Sequence, residues 1–152
     1  MFQLTFDYCL IPLMLEKWNI KHWFFAWLKK YSNKFLPFFE IPLGFFRKIA
    51  TKKWQGTKSC NLGIWKKDFI AVNGFDESYA GWGYEDSDLV IRLIRSGIKR
   101  KQGRFAISVI HLWHRENDRS KEKQNHEQLM HRLESSSTRA NIGMDQYDKA
   151  SS

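Results

Sequence analysis

The chain has 152 residues and a formal net charge of +9. This length fits one domain with a real core and leaves little room for two complete domains. Hydrophobic residues make up 43% of the chain and aromatic residues 16%, which excludes the aromatic-poor composition of a disordered protein.

The first third of the chain is basic and aromatic. Residues 1–60 contain 10 Lys/Arg against 3 Asp/Glu, and apolar residues at mixed three and four spacing predict a helix over residues 8–32. Basic and aromatic residues together suit an anionic surface, either lipid headgroups or nucleic acid. A solvated basic face beside a core stripe is an equally open alternative. The chain has no recognised nucleic-acid motif, so nucleic acid is the less favoured partner.

The apolar stretch from Tyr8 to Leu15 is too short to span a bilayer and lacks the basic flank and cleavage site of a signal peptide. The two cysteines, Cys9 and Cys60, form no metal or redox motif. We therefore expect a cytoplasmic protein with peripheral contact to the inner membrane.

The middle of the chain contains clearer local signals. Residues 60–65 are predicted to form a short strand and residues 66–72 a helical turn. Asn73-Gly74 is predicted to be a turn, because glycine adopts positive φ without steric cost. A loop is predicted at residues 81–83.

A helix is predicted over residues 85–96, with Leu89 and Leu93 on its apolar face and Gly97 as its C-terminal stop. A buried strand over residues 105–113 and a polar helix over residues 120–134 follow. The last 15 residues are predicted to be a frayed tail. Three polar residues of the 85–96 helix are assigned to its other face: Asp88, Arg92 and Arg95.

The loop and the start of this helix carry the candidate chemistry. Trp82 lies between Gly81 and Gly83, an arrangement that leaves an indole face open for stacking on a sugar ring. Glu85 and Asp86 follow at a predicted helix N-terminus, which favours ionised carboxylates that can act as general bases. Simple helix capping and a core tryptophan are the structural alternatives.

Two histidines, His111 and His114, lie at the end of the predicted strand. Strand residues three apart point to opposite faces, so both reach one metal ion only if the strand ends or bends between them. A lone histidine at a strand end is more often only a hydrogen-bonded residue.

Six short stretches in residues 58–119 support one resemblance. They are Cys60–Leu62, Trp65–Asp68, Val72–Glu77, Gly81–Leu89, Arg92–Leu93 and His111–His114. Together they resemble family 2 glycosyltransferases, with a C-terminal signature shared with β-1,4-galactosyltransferases. The resemblance implies an α/β fold, namely the C-terminal portion of a GT-A glycosyltransferase whose nucleotide-binding β-α-β half is missing.

The resemblance also implies the chemistry: an inverting transfer from a nucleotide-diphospho-sugar donor to a glycan acceptor, with a divalent cation, Mn²⁺ or Mg²⁺. Asp86 corresponds to the base and His114, rather than His111, to a metal ligand. The acceptor-binding positions are Trp82, Gly83, Glu85, Asn73 and Gly74, and Glu85 also counts among the catalytic residues. The expected pathway is synthesis of a bacterial surface polysaccharide or lipopolysaccharide.

The chain departs from the family pattern at two points. Tyr84 replaces the second glycine after the tryptophan, and no Asp-x-Asp precedes the motif, so the metal site is incomplete. We expect an N-terminal half encoded upstream and no turnover by the chain alone. The expected division is residues 1–57 as a variable segment, 58–134 as the acceptor and catalytic domain, and 135–152 as a tail. A non-catalytic carbohydrate- or partner-binding module is the alternative.

Overall fold

The computed structural model describes residues 2–4, 19–31, 49–50, 53–101, 110–112 and 118–148. The chain forms two compact units, one from residues 1–47 and 103–115 and the other from residues 48–102 and 116–152. The described residues are mainly helical with short strands. Among them, no helix is long and apolar enough to cross a membrane.

In the first unit, strand β1 (Phe2–Leu4) pairs in parallel with a later strand, Ile110–Leu112. Helix α1 (Ile20–Leu28) begins after Asn19, whose side chain accepts hydrogen bonds from the first-turn amides of Lys21 and His22. The helix predicted over residues 8–32 is thus confirmed for 20–28, and its part before residue 19 lies outside the described residues. The predicted strand over 105–113 is likewise described only at 110–112.

The second unit contains the candidate site. Its elements are strand β2 (Ile49–Ala50), a 3-10 turn (Ser59–Asn61), helices α2 (Lys66–Ala71) and α3 (Glu85–Arg95), strand β3 (Arg100–Lys101), and helices α4 (Glu122–Glu134) and α5 (Asp145–Asp148). The strand Ile110–Leu112 of the first unit is β4 in chain order. Strands β2 and β3 pair antiparallel.

The apolar core of this unit lies between α2 and α3. Val72, Leu89 and Leu93 are its buried centre, and four partly buried side chains surround them: Leu62, Ile64, Phe69 and Ile98. The predicted apolar face of α3 is therefore confirmed. The strand predicted over 60–65 is wrong: its first residues form the 3-10 turn, and those after it belong to no strand.

Local signals set the bounds of α3 correctly. The helix ends at Arg95, with Ser96 as its C-cap and Gly97 in the left-handed conformation at φ +84°. Arg95 donates to the carbonyls of Arg132 and Leu133, in the last turn of α4. These bonds satisfy carbonyls that have no partner within their own helix and join α3 to α4.

The end of the chain is more ordered than predicted. The backbone amide of Ala140 donates to the Val72 carbonyl and that of Met144 to the Asn73 carbonyl. A Cβ at Gly143 would overlap the Asn73 carbonyl, so the segment approaches this turn closely. The prediction of a frayed end is therefore wrong for residues 140–148. It failed because the contacts join positions more than 65 residues apart.

Candidate functional site

Asn125 of α4 supports the Gly81-Trp82-Gly83 loop through two side-chain hydrogen bonds. The side-chain amide of Asn125, 1% exposed, donates to the carbonyls of Ala80 at 3.1 Å and Trp82 at 3.2 Å. Gly81 and Gly83 both have positive φ, which a residue with a Cβ adopts only at a cost. The loop is thus fixed in shape. Asn125 is a positioning residue that sequence reasoning missed, since the sequence gives no sign that residue 125 lies beneath residue 82.

Trp82 is 37% exposed, so it is not packed into the core. The guanidinium of Arg119 lies over the indole ring, with its carbon 4.3 Å from the ring centroid. This is a cation–π contact, and it covers one face of the indole ring. The alternative of a core tryptophan is therefore excluded.

Tyr84 forms the junction between the loop and α3. Its φ is +72°, the left-handed conformation, and it precedes the first helical residue. The backbone there takes the conformation natural to glycine, which is the residue that the resembling family has at this position. The Tyr84 ring lies 5.0 Å from the ring of His126, tilted by 54°. A left-handed non-glycine residue costs about 1–2 kcal/mol, and such strain is often found at functional sites.

Glu85 and Asp86 begin α3 directly after this junction. Asp86 Oδ2 accepts a hydrogen bond of 2.8 Å from the backbone amide of Ser59. Asp86 Oδ1 and Glu85 Oε2 are buried and have no hydrogen-bond partner among the described residues. The Asp86 carboxylate thus bonds to the distant Ser59 amide rather than capping its own helix.

Two other buried side-chain atoms in the described part of the chain share this lack of a partner: Tyr79 Oη and Arg92 Nη2. Both belong to hydrogen-bond donors. The Tyr79 hydroxyl is neutral, and the Arg92 guanidinium is already paired with Asp88, so the oxygens of the two acids are the notable cases.

Asp88, the third acid of the same helical turn, has a different role. It is fully buried and pairs with two arginines: its Oδ2 accepts from Arg92 Nε at 2.7 Å and its Oδ1 from Arg132 Nε at 2.6 Å. Arg92 Nη1 also donates to the carbonyls of Val72 and Gly74. The face opposite the apolar one, to which Asp88 and Arg92 were assigned, is therefore buried at these two residues. Their burial depends on Arg132, a partner 44 residues beyond Asp88, and their four-residue spacing was the one signal for the pair.

Asp76 extends the network to the C-terminal segment. Arg132 Nη2 donates to its Oδ2 at 2.7 Å, and the amide of Asn141 donates to the same oxygen. Burial alone would raise the pKa of the Asp76 carboxyl, but hydrogen bonds from Ser78 and Asn141 and the charge of Arg132 bring the pKa below its usual value. Burial raises the pKa of nearby Tyr79 well above its usual value, and the charge of Asp88 adds to this effect.

Asn73 and Gly74, two of the predicted acceptor-binding residues, contact the C-terminal segment. Both have positive φ, as the predicted turn requires. The Asn73 side chain is bonded to Asp145 in both directions, at 2.9 Å each. A Cβ on Gly74 would lie 2.7 Å from Met144 Cγ. The structure thus brings Trp82, Gly83, Glu85 and Asp86 into one continuous stretch, while the contacts of Asn73 and Gly74 are with the end of the chain.

The predicted metal ligand, His114, lies outside the described residues, and only the backbone of His111 is described. Within residues 19–31, 53–101 and 118–147, whose side chains are described, no three His, Cys, Asp or Glu residues are placed to hold a metal ion. The described acids alone therefore do not form a metal site, and His114 as a ligand stays a prediction.

Comparison with known proteins identifies the segment that contains this site. A family model described as the N-terminal domain of galactosyltransferase matches residues 46–115, just under half of the chain. Human chondroitin sulfate synthase 3 is 39% identical over 51 residues, which is 34% of this chain and 6% of that protein. Mouse β-1,4-galactosyltransferase 1 is 48% identical over 33 residues, 22% of this chain and 8% of that protein. No solved structure gives a significant match.

These matches show that the chain contains a glycosyltransferase-like segment, as the resemblance predicted. The chain spans less than a tenth of the length of these curated relatives. Membership of family 2, the GT-A fold and the position of the segment in a C-terminal half stay predictions.

Proposed function

We propose that this chain is the acceptor-binding and catalytic part of an inverting glycosyltransferase, with Trp82 stacking on the acceptor sugar and Asp86 as the general base. The observation that carries the proposal is the pair of buried carboxylate oxygens, on Glu85 and Asp86, that lack a partner directly after an exposed indole. The galactosyltransferase match over residues 46–115 supports it independently.

The proposed step follows from the different surroundings of the two Asp86 oxygens. Oδ2 is held by the Ser59 amide, which fixes the carboxylate, so Oδ1 is left to take the proton of an acceptor hydroxyl. The hydroxyl oxygen then bonds to the anomeric carbon of the donor sugar. The bond from that carbon to the diphosphate breaks, and its electron pair leaves with the nucleoside diphosphate. Attack from the face opposite the leaving group inverts the anomeric centre.

Glu85 and Gly83 hold the acceptor in this scheme. Glu85 Oε2 accepts a hydrogen bond from a second hydroxyl group of the acceptor sugar, which gives this buried oxygen a partner. Gly83 has φ +111°, which would keep the loop in the shape that presents Trp82 to the acceptor. Asn73 and Gly74, also proposed for the acceptor site, would act from the neighbouring turn.

A divalent cation, Mn²⁺ or Mg²⁺, and the nucleotide-sugar donor are part of the proposal. The cation would stabilise the negative charge that develops on the departing diphosphate. His114 is the proposed ligand within this chain, and the remaining ligands and the donor pocket would come from a half encoded upstream. We accordingly expect no sugar transfer by the isolated chain. Synthesis of a bacterial surface polysaccharide or lipopolysaccharide, at the cytoplasmic face of the inner membrane, is the proposed setting.

The acceptor site can be tested on the chain as it stands. Calorimetric titration with a panel of neutral and acidic oligosaccharides should show binding that Trp82→Ala weakens at least about tenfold, a typical loss for a stacked aromatic contact. Trp65→Ala is the matched control, because Trp65 is 78% exposed and lies outside the loop. Equal losses in both variants, or no saccharide binding at all, would remove the acceptor site from the proposal.

The base is tested in a protein that joins this chain to a donor-binding half. Asp86→Asn should lower kcat by about 100-fold to 10,000-fold, the range expected for loss of a general base. Glu134→Gln changes an exposed acid outside α3 and outside the proposed site, and it should leave kcat unchanged. Full activity of Asp86→Asn would assign the base to another acid.

A further inference from the structure

An open groove adjoins the Trp82 loop on the α4 side. It has a volume of about 430 Å³ and is lined by Tyr84, Arg119, Ser120, Glu122, Lys123 and His126. The Trp82 loop lies against the edge of this groove, since a Cβ built on Gly83 would lie 3.8 Å from Glu122 Cγ. A glycan that stacks one ring on Trp82 would therefore place a substituent, or its next ring, in this groove.

The charged side chains of the groove favour an anion. Arg119 and Lys123 are cationic, and Glu122 is the one acid among the lining residues. Arg119 and Glu122 approach only to 3.8 Å, and their side chains are 48% and 37% exposed. A pair that long and that exposed contributes little to stability, so Glu122 competes only weakly with a ligand anion for the guanidinium. Two charged neighbours lie just outside the lining: Asp118, which accepts hydrogen bonds from Ser120, and Lys121, which packs against Gly81.

The contact between Arg119 and Trp82 favours anion binding by Arg119. The guanidinium carbon lies 4.3 Å from the indole centroid, and this contact restricts the Arg119 side chain at the edge of the groove. A guanidinium restricted in this way can bind a carboxylate or a similar oxyanion with two hydrogen bonds. It loses less conformational entropy on binding than a mobile arginine side chain does. The rings of Tyr84 and His126 form an aromatic wall beside it.

We propose that this groove is a subsite for an acidic substituent of the acceptor glycan, such as a carboxylate, sulfate or phosphate on the sugar next to the one stacked on Trp82. The inference rests on the proposed function, because it names the class of acceptor that the same site takes. Arg119 and Lys123 bind the anionic oxygens, and Glu122 opposes them. The site therefore selects acidic over neutral glycans.

The test compares matched ligands on the 152-residue chain by calorimetry. The first pair is a disaccharide containing a hexuronic acid and the same disaccharide with the carboxylate reduced to a hydroxymethyl group. Sulfated and phosphorylated forms of the reduced disaccharide identify the preferred anion. We expect the best acidic ligand to bind about 10-fold more tightly than the neutral one, the gain from two charge-assisted hydrogen bonds at a partly exposed site, and this ratio should shrink as salt is added.

Two variants should move the acidic-to-neutral ratio in opposite directions. Lys123→Met should lower it by about threefold or more, whereas Glu122→Gln should raise it, because the opposing charge is removed. Lys99→Met, which removes an exposed lysine outside the groove, is the control and should leave the ratio unchanged. Opposite changes from the two groove variants cannot arise from a shared folding defect.

Three results would overturn the inference. If the chain binds acidic and neutral ligands equally and Trp82→Ala still abolishes binding, the acidic subsite is wrong while the proposed function stands. If a nucleoside diphosphate without sugar occupies the groove more tightly than any acidic disaccharide, the groove serves the donor phosphates instead. If neither disaccharide binds, the inference and the acceptor site fail together.

Discussion

The first turn of α3 contains acids with two different roles. Asp88 is fully buried, and an arginine is bonded to each of its oxygens. Glu85 and Asp86, three and two positions earlier, each have a buried oxygen without a partner among the described residues. Neighbouring carboxylates on one helix thus differ: Asp88 is paired within the fold, whereas Glu85 and Asp86 keep the oxygens that the proposed function assigns to the acceptor. Because unpaired buried charge is costly, a protein keeps it where function requires it.

The network around Asp88 should produce the largest effect when it is broken. Arg132→Met leaves buried Asp76 without its counterion and buried Asp88 with Arg92 alone. We expect the free energy of unfolding to fall by about 3–5 kcal/mol, measured by urea denaturation. Lys99→Met serves as an exposed control with little change. A loss below about 1 kcal/mol in Arg132→Met would show that the network does not hold the fold together.

Removing the hydrogen bonds from Asn125 to the Trp82 loop should lower stability by less, and it should also weaken saccharide binding. Asn125→Leu keeps a similar volume but leaves the carbonyls of Ala80 and Trp82 without their donor. The expected loss of stability is about 1–3 kcal/mol, and saccharide affinity should fall further than the stability change alone explains, since the Trp82 loop is no longer fixed. Gln124→Leu changes an exposed neighbour on the same helix and should affect neither. Unchanged affinity in Asn125→Leu would mean that the loop holds its shape without this residue.

Acid should weaken the network gradually. Hydrogen bonds from Ser78 and Asn141 hold the pKa of Asp76 in the folded chain below its usual value of 3.8. Its contribution to stability is therefore fully present above pH 3.8 and is lost as the pH falls through the folded-state pKa. Denaturation curves collected at decreasing pH should show this loss, and Asp76→Asn should show a shallower dependence over the same interval. Identical pH dependence in both proteins would exclude Asp76 as a source of acid sensitivity.

The sequence predicted the elements that short-range signals define. The Asn73-Gly74 turn, helix α3 and its stop at Gly97 depend on residues within a few positions of one another, and all three are present. Local signals of the same kind predicted that the Trp82 indole is exposed and that Glu85 and Asp86 lie at the start of a helix. Local structure and the linear motif were therefore accessible before the fold was known.

Contacts between distant positions were not accessible in this way. The burial of Asp88 depends on Arg132, and the support of Trp82 depends on Asn125, 43 residues away. The order of the C-terminal segment depends on Asn73, whose side chain meets Asp145 at a separation of 72 residues. Periodicity places a residue on a helix face but does not show which distant side chain meets that face, so the burial of the charged face of α3 could not be predicted.

The division of the acids is tested most directly by two single-atom changes on the same helix. Asp86→Asn and Asp88→Asn each replace one carboxylate oxygen with an amide nitrogen, and urea denaturation gives the free energy of unfolding for both. We predict that Asp88→Asn lowers it by about 3 kcal/mol or more, whereas Asp86→Asn leaves it within about 0.5 kcal/mol of the native value or raises it, because an unpaired buried charge is removed. A loss in Asp86→Asn as large as that in Asp88→Asn would contradict the account, because Asp86 would then be holding the fold together rather than awaiting a substrate.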